Sequence, residues 1–147
     1  MPVLLLTGII ALATSVFSTV LVDQYLLERI SFIGSLIGFE RTTNAGIAFG
    51  IDIPAGILAI LIPVALILIM HLAWKMKDQK IPAVSFGLIL GGAFGNIIDR
   101  LGDGFVTDFI QIGIWPTFNI ADSCITVGVL LLVLMEYKKA HTGLKKP

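Results

Sequence analysis

Charged side chains are scarce in this chain of 147 residues, since Asp, Glu, Lys and Arg together make up 14% of it. Hydrophobic residues make up 56%, and the mean hydropathy of +0.98 is far above the range of soluble domains of this size. The composition therefore predicts an integral membrane protein. The formal net charge is zero, so charge gives no argument for a nucleic-acid partner, and we expect none.

Cysteine and histidine are also rare, which excludes several kinds of site. Cys124 is the single cysteine, so the chain can form neither an internal disulfide nor a multi-cysteine metal site. Ser123 and Cys124 are candidate nucleophiles. However, His71 and His141 lie at the opposite side of the membrane in the topology predicted below, where neither can act as their base. Without clustered ligands we expect no metal and no cofactor.

Four long runs without charge, apart from one aspartate, indicate membrane-spanning helices. A helix of about 20 residues crosses a hydrocarbon core of about 30 Å. The runs are Met1–Val22, Ile53–Trp74, Ile81–Ile98 and Gly113–Met135. They predict spans at about residues 3–22, 53–74, 81–98 and 114–135, within one membrane domain covering residues 1–147. No Lys or Arg precedes the first run, so we expect a span there rather than a removable signal peptide.

The distribution of lysines predicts the orientation. Lys75, Lys77 and Lys80 lie between the second and third spans, and four more lysines follow the fourth. The positive-inside rule places this loop and both termini in the cytoplasm. Most acidic residues then lie on the outer side, where we expect the polar chemistry.

The outer connection between the first two spans, from Gln24 to Asp52, is long for a simple loop. Its segment from Ile30 to Ile37 is apolar enough to lie on the membrane surface, and the pattern from Thr42 to Gly46 is typical of an extended chain with a turn. We therefore expect a membrane all-α fold of four transmembrane helices with a small strand-like or amphipathic cap between helices 1 and 2.

The third predicted span combines a stripe of small residues with a polar end. Glycine recurs at every fourth position, at Gly87, Gly91 and Gly95, which predicts close packing against another helix. The span ends with Asn96 and Arg100 on one face and Asp99 between them. We expect Asp99 to have a structural role, paired with Arg100 or with a helix terminus.

Two further aspartates accompany apolar segments near the outer side. Asp108 lies in Val-Thr-Asp-Phe-Ile, and Asp122 is predicted about eight residues into the fourth span, with Asn119 and Thr126 one turn away. A carboxylate at bilayer depth costs roughly 2.5 to 3.5 kcal/mol. Hydrogen bonds between membrane helices average about 0.6 kcal/mol, which is too little to offset that cost. The pattern therefore predicts a paired-carboxylate site.

Two other interpretations remain open at this point. Asp99, Asp108 and Asp122 are compatible with the proton relay of a small transporter or channel subunit. Against it, the first two spans contain no acid beyond Asp23 at the edge, so no path to the cytoplasm is apparent. A structural assembly subunit would explain the glycine stripe but would leave Asp122 without a role.

Five short motifs occur in an order that resembles a known bacterial family. They are Asp23-Gln, Asn44-Ala-Gly-Ile-Ala-Phe-Gly, the segment from Gly91 to Arg100, the segment from Gly104 to Phe109, and Phe118-Asn-Ile-Ala-Asp-Ser. They are spread in the family's order across nearly the whole chain, and jointly they resemble lipoprotein signal peptidase, also called signal peptidase II. The chain departs from the family at Leu27, where a lysine is usual.

The resemblance implies an aspartic endopeptidase of the bacterial cytoplasmic membrane that cleaves prolipoproteins just before a diacylglyceryl-modified cysteine. It implies catalytic roles for Asp108 and Asp122, without indicating which of them carries the proton. It implies that substrate or the surroundings of the dyad are held by Asn44, Gly46, Arg100 and Asn119. It implies structural roles for Asp23, Asn96 and Asp99. Membrane lipid is an expected partner, a monomer suffices, and the active site is expected near the outer face.

Overall fold

The computed structural model describes residues 1–46 and 55–142. In chain order the elements are α1 (Pro2–Tyr25), β1 (Ile30–Ile33), β2 (Ile37–Asn44), α2 (Ala55–Met76), α3 (Lys80–Asp103), β3 (Val106–Ile112) and α4 (Ile120–Thr142). Within these residues, four helices are long and apolar enough to cross a membrane. The predicted membrane all-α class with a strand-like cap between helices 1 and 2 is confirmed. The predicted start of the second span, at Ile53, lies outside the described residues.

The three strands form one antiparallel sheet in the order β1-β2-β3. The third strand comes from between α3 and α4, and it was not expected from the sequence. It pairs with β2 so that Thr42 lies opposite Asp108 and Asn44 lies opposite Val106. The register shifts between Phe39 and Thr42, where a bulge in β2 precedes the residues that face the predicted site.

The fourth helix begins at Ile120, six residues later than the predicted span. Gly113, directly after β3, has a φ of +59°, which glycine adopts without strain, and the chain then turns back so that Phe118 pairs with Ile110 of β3. Pro116 lies in the connection that follows. Asp122 is therefore in the first turn of α4, and the prediction of about eight preceding helical residues is wrong.

Helix α3 lies at the centre of the bundle and packs most extensively against α1 and α4. A Cβ on Gly87 would lie 2.8 Å from the carbonyl oxygen of Leu4, and a Cβ on Gly95 would lie 2.7 Å from the Cβ of Ser15. The absence of side chains at these glycines therefore permits the close approach of α1. This contact is the packing role that was predicted for the glycine stripe.

Helix α2 packs against α3 near the end that carries the lysines. Ala73 forms a buried cluster there with Phe86 and Ile89 of α3. Many large apolar side chains of the helices are exposed, for example Leu6, Phe17 and Ile60, whose exposed fractions lie between 61% and 67%. Such surfaces are suited to lipid and not to water.

Candidate active site

Asp108 and Asp122 approach the same cavity from different elements. Asp108 lies in β3 and is 3% exposed, and Asp122 is half-buried in the first turn of α4. Both line a cavity of about 620 Å³. Strand pairing brings Asp108 to this position, whereas the start of a helix brings Asp122. The two aspartates that the sequence singled out therefore lie on one cavity.

Side-chain amides donate to both carboxylates. Asn44 of β2 donates from Nδ2 to Oδ2 of Asp108 over 3.0 Å, and Asn119 donates from Nδ2 to Oδ1 of the same residue over 3.0 Å. Asn96 of α3 donates from Nδ2 to Oδ1 of Asp122 over 2.8 Å. Each carboxylate thus has at least one fixed donor, which orients it without adding a positive charge.

Asn119 also caps the helix that carries Asp122. Its Oδ1 accepts from the backbone N–H of Asp122 over 2.9 Å, and its backbone N–H donates to Oδ2 of Asp122 over 3.4 Å. This reciprocal pair is the arrangement of a capping box, in which the cap and the third helical residue satisfy each other's N–H groups. The same two hydrogen bonds therefore fix the start of α4 and the position of Asp122.

A tight turn forms the opposite wall of the cavity. Asn44 accepts from the backbone N–H of Gly46 through Oδ1 over 2.9 Å, which is a local turn typical of asparagine. Arg100 of α3 donates from Nη2 to the carbonyl oxygen of Gly46 over 2.7 Å. The Nε of Arg100 is buried and has no hydrogen-bond partner among the described residues. Asn44, Gly46 and Arg100 all line the cavity.

Two other acids bind the strand that carries Asp108, through the preceding residue Thr107. The backbone N–H of Thr107 donates to Oδ2 of Asp99 over 2.7 Å, and its hydroxyl donates to Oδ1 of Asp23 over 3.2 Å. Arg41 donates from Nε to the same oxygen of Asp23 over 2.8 Å. Asp99 therefore binds the backbone of β3, and neither Arg100 nor a helix terminus is its partner among the hydrogen bonds of the described residues.

Burial raises the pKa of Asp108 to about 6, from an ordinary value of 3.8. The main cause is the loss of hydration, which disfavours the charged form. The hydrogen bond from Asn44 acts in the opposite direction, while the nearby carboxylate of Asp122 raises the pKa further. Asp108 therefore binds a proton at a higher pH than an ordinary aspartate does.

The polar residues of the cavity were predicted from the sequence, whereas its apolar wall was not. Asn44, Gly46, Asn96, Arg100, Asp108 and Asp122 line it, whereas Asn119 is 2% exposed and lies behind the dyad. The wall also contains Trp115, Phe118, Ile125 and Val127, none of which was predicted. Strand β3 was missed as well, although a run rich in β-branched and aromatic residues between Gly104 and Gly113 is typical of a strand.

Comparison with known proteins identifies the family. The family model described as signal peptidase (SPase) II matches residues 7–138. The lipoprotein signal peptidase of Halothermothrix orenii is 37% identical over 79% of this chain and 81% of that protein. The lipoprotein signal peptidase of Aquifex aeolicus is 36% identical over 87% and 84%, respectively. That of Dehalococcoides mccartyi is 50% identical, over 45% of this chain and 41% of that protein.

Two solved structures of bacterial membrane enzymes have the same fold. One has a TM-score of 0.86 and 25% sequence identity, and it covers 100% of this chain and 94% of the other chain. The second has a TM-score of 0.80 and 26% identity, and it covers 94% of both chains. These matches extend over the helices and the sheet alike.

The comparisons give no support to a transporter or channel subunit. The relatives are named as peptidases, and the neighbouring structures are named as enzymes. The chain therefore belongs to the signal peptidase II family, the aspartic membrane peptidases that remove signal peptides from prolipoproteins.

Proposed function

We propose that Asp108 and Asp122 are the catalytic dyad and that the chain cleaves prolipoproteins just before the diacylglyceryl-modified cysteine. The observation that carries the proposal is the meeting of two carboxylates from β3 and α4 on one cavity, each with a side-chain amide as donor. Structural acids are found elsewhere in the molecule. Asp99 accepts from the backbone N–H of Thr107 and Asp23 from its hydroxyl, and neither acid lines the cavity.

The chemistry follows from the sharing of one proton between two carboxyl groups. The negative charge of Asp122 disfavours the ionised form of Asp108, so one proton shared between the two carboxyl groups is the proposed working state. The ionised carboxylate takes a proton from a water molecule while the water oxygen attacks the scissile carbonyl carbon. The protonated member donates to the carbonyl oxygen. When the carbon–nitrogen bond breaks, a proton passes to the leaving amine of the modified cysteine, and the released signal peptide keeps the new carboxyl group.

Gly46 and Arg100 are the proposed contacts to the substrate backbone, whereas Asn44 is proposed to hold the surroundings of the dyad. The buried Nε of Arg100 is a donor without a partner among the described residues, and an unsatisfied buried donor is costly. A carbonyl oxygen of an extended substrate would satisfy it. Asn44 has a different function in this proposal, because both ends of its amide are already used by Asp108 and Gly46.

The position of the cavity suits a substrate anchored in the outer leaflet. The cavity lies at the ends of α3 and α4 opposite to Lys80 and Lys139, so the positive-inside rule places it near the outer face, with both termini in the cytoplasm. Its apolar wall, which includes Trp115 and Ile125, is compatible with membrane lipid and with the acyl chains of a modified cysteine. A monomer contains all the residues that the chemistry needs.

The test is cleavage by the purified chain in detergent, without an ion gradient. The substrates are a diacylglyceryl-modified precursor and its unmodified twin, and the enzymes are the wild type, Asp108→Asn and Asp122→Asn. We expect cleavage of the modified precursor by the wild type alone, because each variant retains hydrogen bonding but cannot ionise. Near wild-type turnover by either variant would refute the paired-acid mechanism.

A further inference from the structure

We propose that Asn96 is a positioning residue of the dyad, which ties the carboxylate of Asp122 to the amide that holds Asp108. This inference rests on the proposed function of the two aspartates. It goes beyond the structural role that the sequence suggested for Asn96. The supporting feature is a continuous chain of hydrogen bonds between side chains of β3, α4 and α3.

The first link is the side-chain amide of Asn119, whose orientation is fixed. The backbone N–H of Asp122 is a donor only, so the atom of Asn119 that faces it over 2.9 Å must be the oxygen Oδ1. The nitrogen Nδ2 therefore faces the other way. It donates to Oδ1 of Asp108 and to Oδ1 of Asn96, each over 3.0 Å. The bond to Asp108 is almost fully shielded from water, because Asn119 is 2% exposed and Asp108 3%, whereas the bond to Asn96 is partly buried.

The second link is Asn96, whose orientation follows from the first. Its Oδ1 accepts from Asn119, so its Nδ2 must point to Asp122, to which it donates over 2.8 Å. A single amide flip anywhere in this chain would place two donors or two acceptors against each other. The network therefore has one consistent arrangement, in which an N–H group faces each carboxylate.

Asp122 depends on Asn96 more than Asp108 depends on any single donor. Asp108 accepts from Asn119 and Asn44 at separate oxygens, over 3.0 Å in both cases. Asp122 has one short bond, from Asn96, and a long bond of 3.4 Å from the backbone of Asn119. Among the hydrogen bonds of the described residues, loss of the Asn96 amide would leave the Asp122 carboxylate held by the long bond from Asn119. A displacement of about 1 Å in a catalytic group can reduce the rate by about a hundredfold.

Two substitutions separate positioning from packing. Asn96→Ala removes the amide, and Asn96→Asp keeps the shape and the acceptor for Asn119 but replaces the donor to Asp122 with an oxygen of a further carboxyl group. We expect both to lower kcat by about ten- to a hundredfold per folded molecule, with KM for the diacylglyceryl-modified precursor within about twofold of wild type. Ser85→Ala is the matched control, since Ser85 is a buried polar residue of the same helix whose hydroxyl donates to the carbonyl oxygen of Ile81 within α3. We expect unchanged kcat for it.

The outcomes distinguish this inference from the proposed function. Wild-type kcat per folded molecule in Asn96→Asp or Asn96→Ala, with Asp122→Asn inactive, would overturn the inference and leave the dyad intact. A rise in KM with unchanged kcat would make Asn96 a substrate contact and would also overturn it. Wild-type turnover in Asp122→Asn would instead refute the proposed function itself. The folded fraction is measured by size-exclusion chromatography, so a variant that only folds poorly with normal kcat per folded molecule counts against the inference.

Discussion

Burial of a carboxyl group makes Asp108 costly to ionise in the folded protein. Its pKa is raised to about 6, whereas an ordinary aspartate has 3.8. Between these two values the folded state binds more protons than the unfolded state, so the stability of the protein falls as the pH rises through this window. The residue that we assign to catalysis therefore reduces stability at neutral pH.

Asp108→Asn should remove this pH-dependent cost. We expect the melting temperature of the variant, relative to wild type, to rise between pH 4 and pH 7, because the wild type loses stability as Asp108 ionises and the amide does not. The measurement is thermal unfolding in detergent at four pH values in that range. A difference between the two proteins that is constant with pH would contradict a raised pKa for Asp108.

A substitution of Asn44 tests whether the turn beside the cavity contributes to catalysis. Asn44→Ala removes one donor to Asp108 and the acceptor that holds Gly46. We expect cleavage efficiency to fall by one to three powers of ten, or about 1.4 to 4 kcal/mol of transition-state stabilisation, with little change in melting temperature. Thr43→Ala is the control, because Thr43 is its exposed neighbour in the same strand. An equal loss of cleavage in Asn44→Ala and Thr43→Ala, or a large fall in the melting temperature of Asn44→Ala, would make Asn44 structural.

At the level of single residues, the sequence predicted the two aspartates because an acid in an apolar segment conflicts with its surroundings. It did not predict the contacts of Asn96, since Asn96 and Asp122 are 26 residues apart and no local pattern relates them. The same holds for the bonds from Thr107 to Asp23 and Asp99. Contacts between distant side chains depend on strand register and helix packing, which hydropathy does not encode.

At the level of elements, α3 and α4 approach each other closely beside the dyad. A Cβ on Gly92 would lie 2.5 Å from the carbonyl oxygen of Ala121, the residue before Asp122. Any side chain at position 92 must therefore move the first turn of α4. The same turn carries Asp122 and its capping bonds with Asn119.

Gly92→Ala should consequently reduce both stability and activity. We expect a loss of about 1 to 3 kcal/mol in the free energy of unfolding, the usual range for overpacking, together with a loss of turnover. The matched control is Gly102→Ala, on the same helix, where a Cβ would meet nothing within 4 Å. That change should stabilise the helix slightly or have no effect. Denaturant unfolding and cleavage assays on both variants check this, and equal behaviour of the two would contradict the packing argument.

The four long helices were predictable because composition and length alone identify them. The limits of α4 were not, because an apolar loop and an apolar helix have the same hydropathy. Residues 113–119 contain Trp115 and Phe118, so a hydropathy window extends across them. Helix α4 begins where it does because Asn119 caps it. An asparagine indicates a helix start only where other features already suggest that a helix begins.

At the level of the whole molecule, the orientation in the membrane remains a prediction. We expect single cysteines introduced at Thr43 and Gly104, in a Cys124→Ser background, to react with a membrane-impermeant thiol reagent added outside intact cells. A cysteine at Lys77 should react only after the membrane is opened. External labelling at Lys77 would reverse the orientation and the account of substrate access. The predicted cytoplasmic position of Lys145 lies outside the described residues.

The order of elements along the chain predicts that the enzyme can assemble from two fragments. Asn96, Asp108, Asn119 and Asp122 all lie between Lys80 and Thr142, while Asn44 belongs to the part before α2. The connection at Asp78 and Gln79 is exposed and lies at the far end from the cavity. The glycine contacts of α3 with α1 and the pairing of β2 with β3 would join the two pieces without a peptide bond. Coexpressed fragments 1–78 and 79–147 should therefore reconstitute cleavage that neither performs alone, and a split gene would be a viable form of this enzyme.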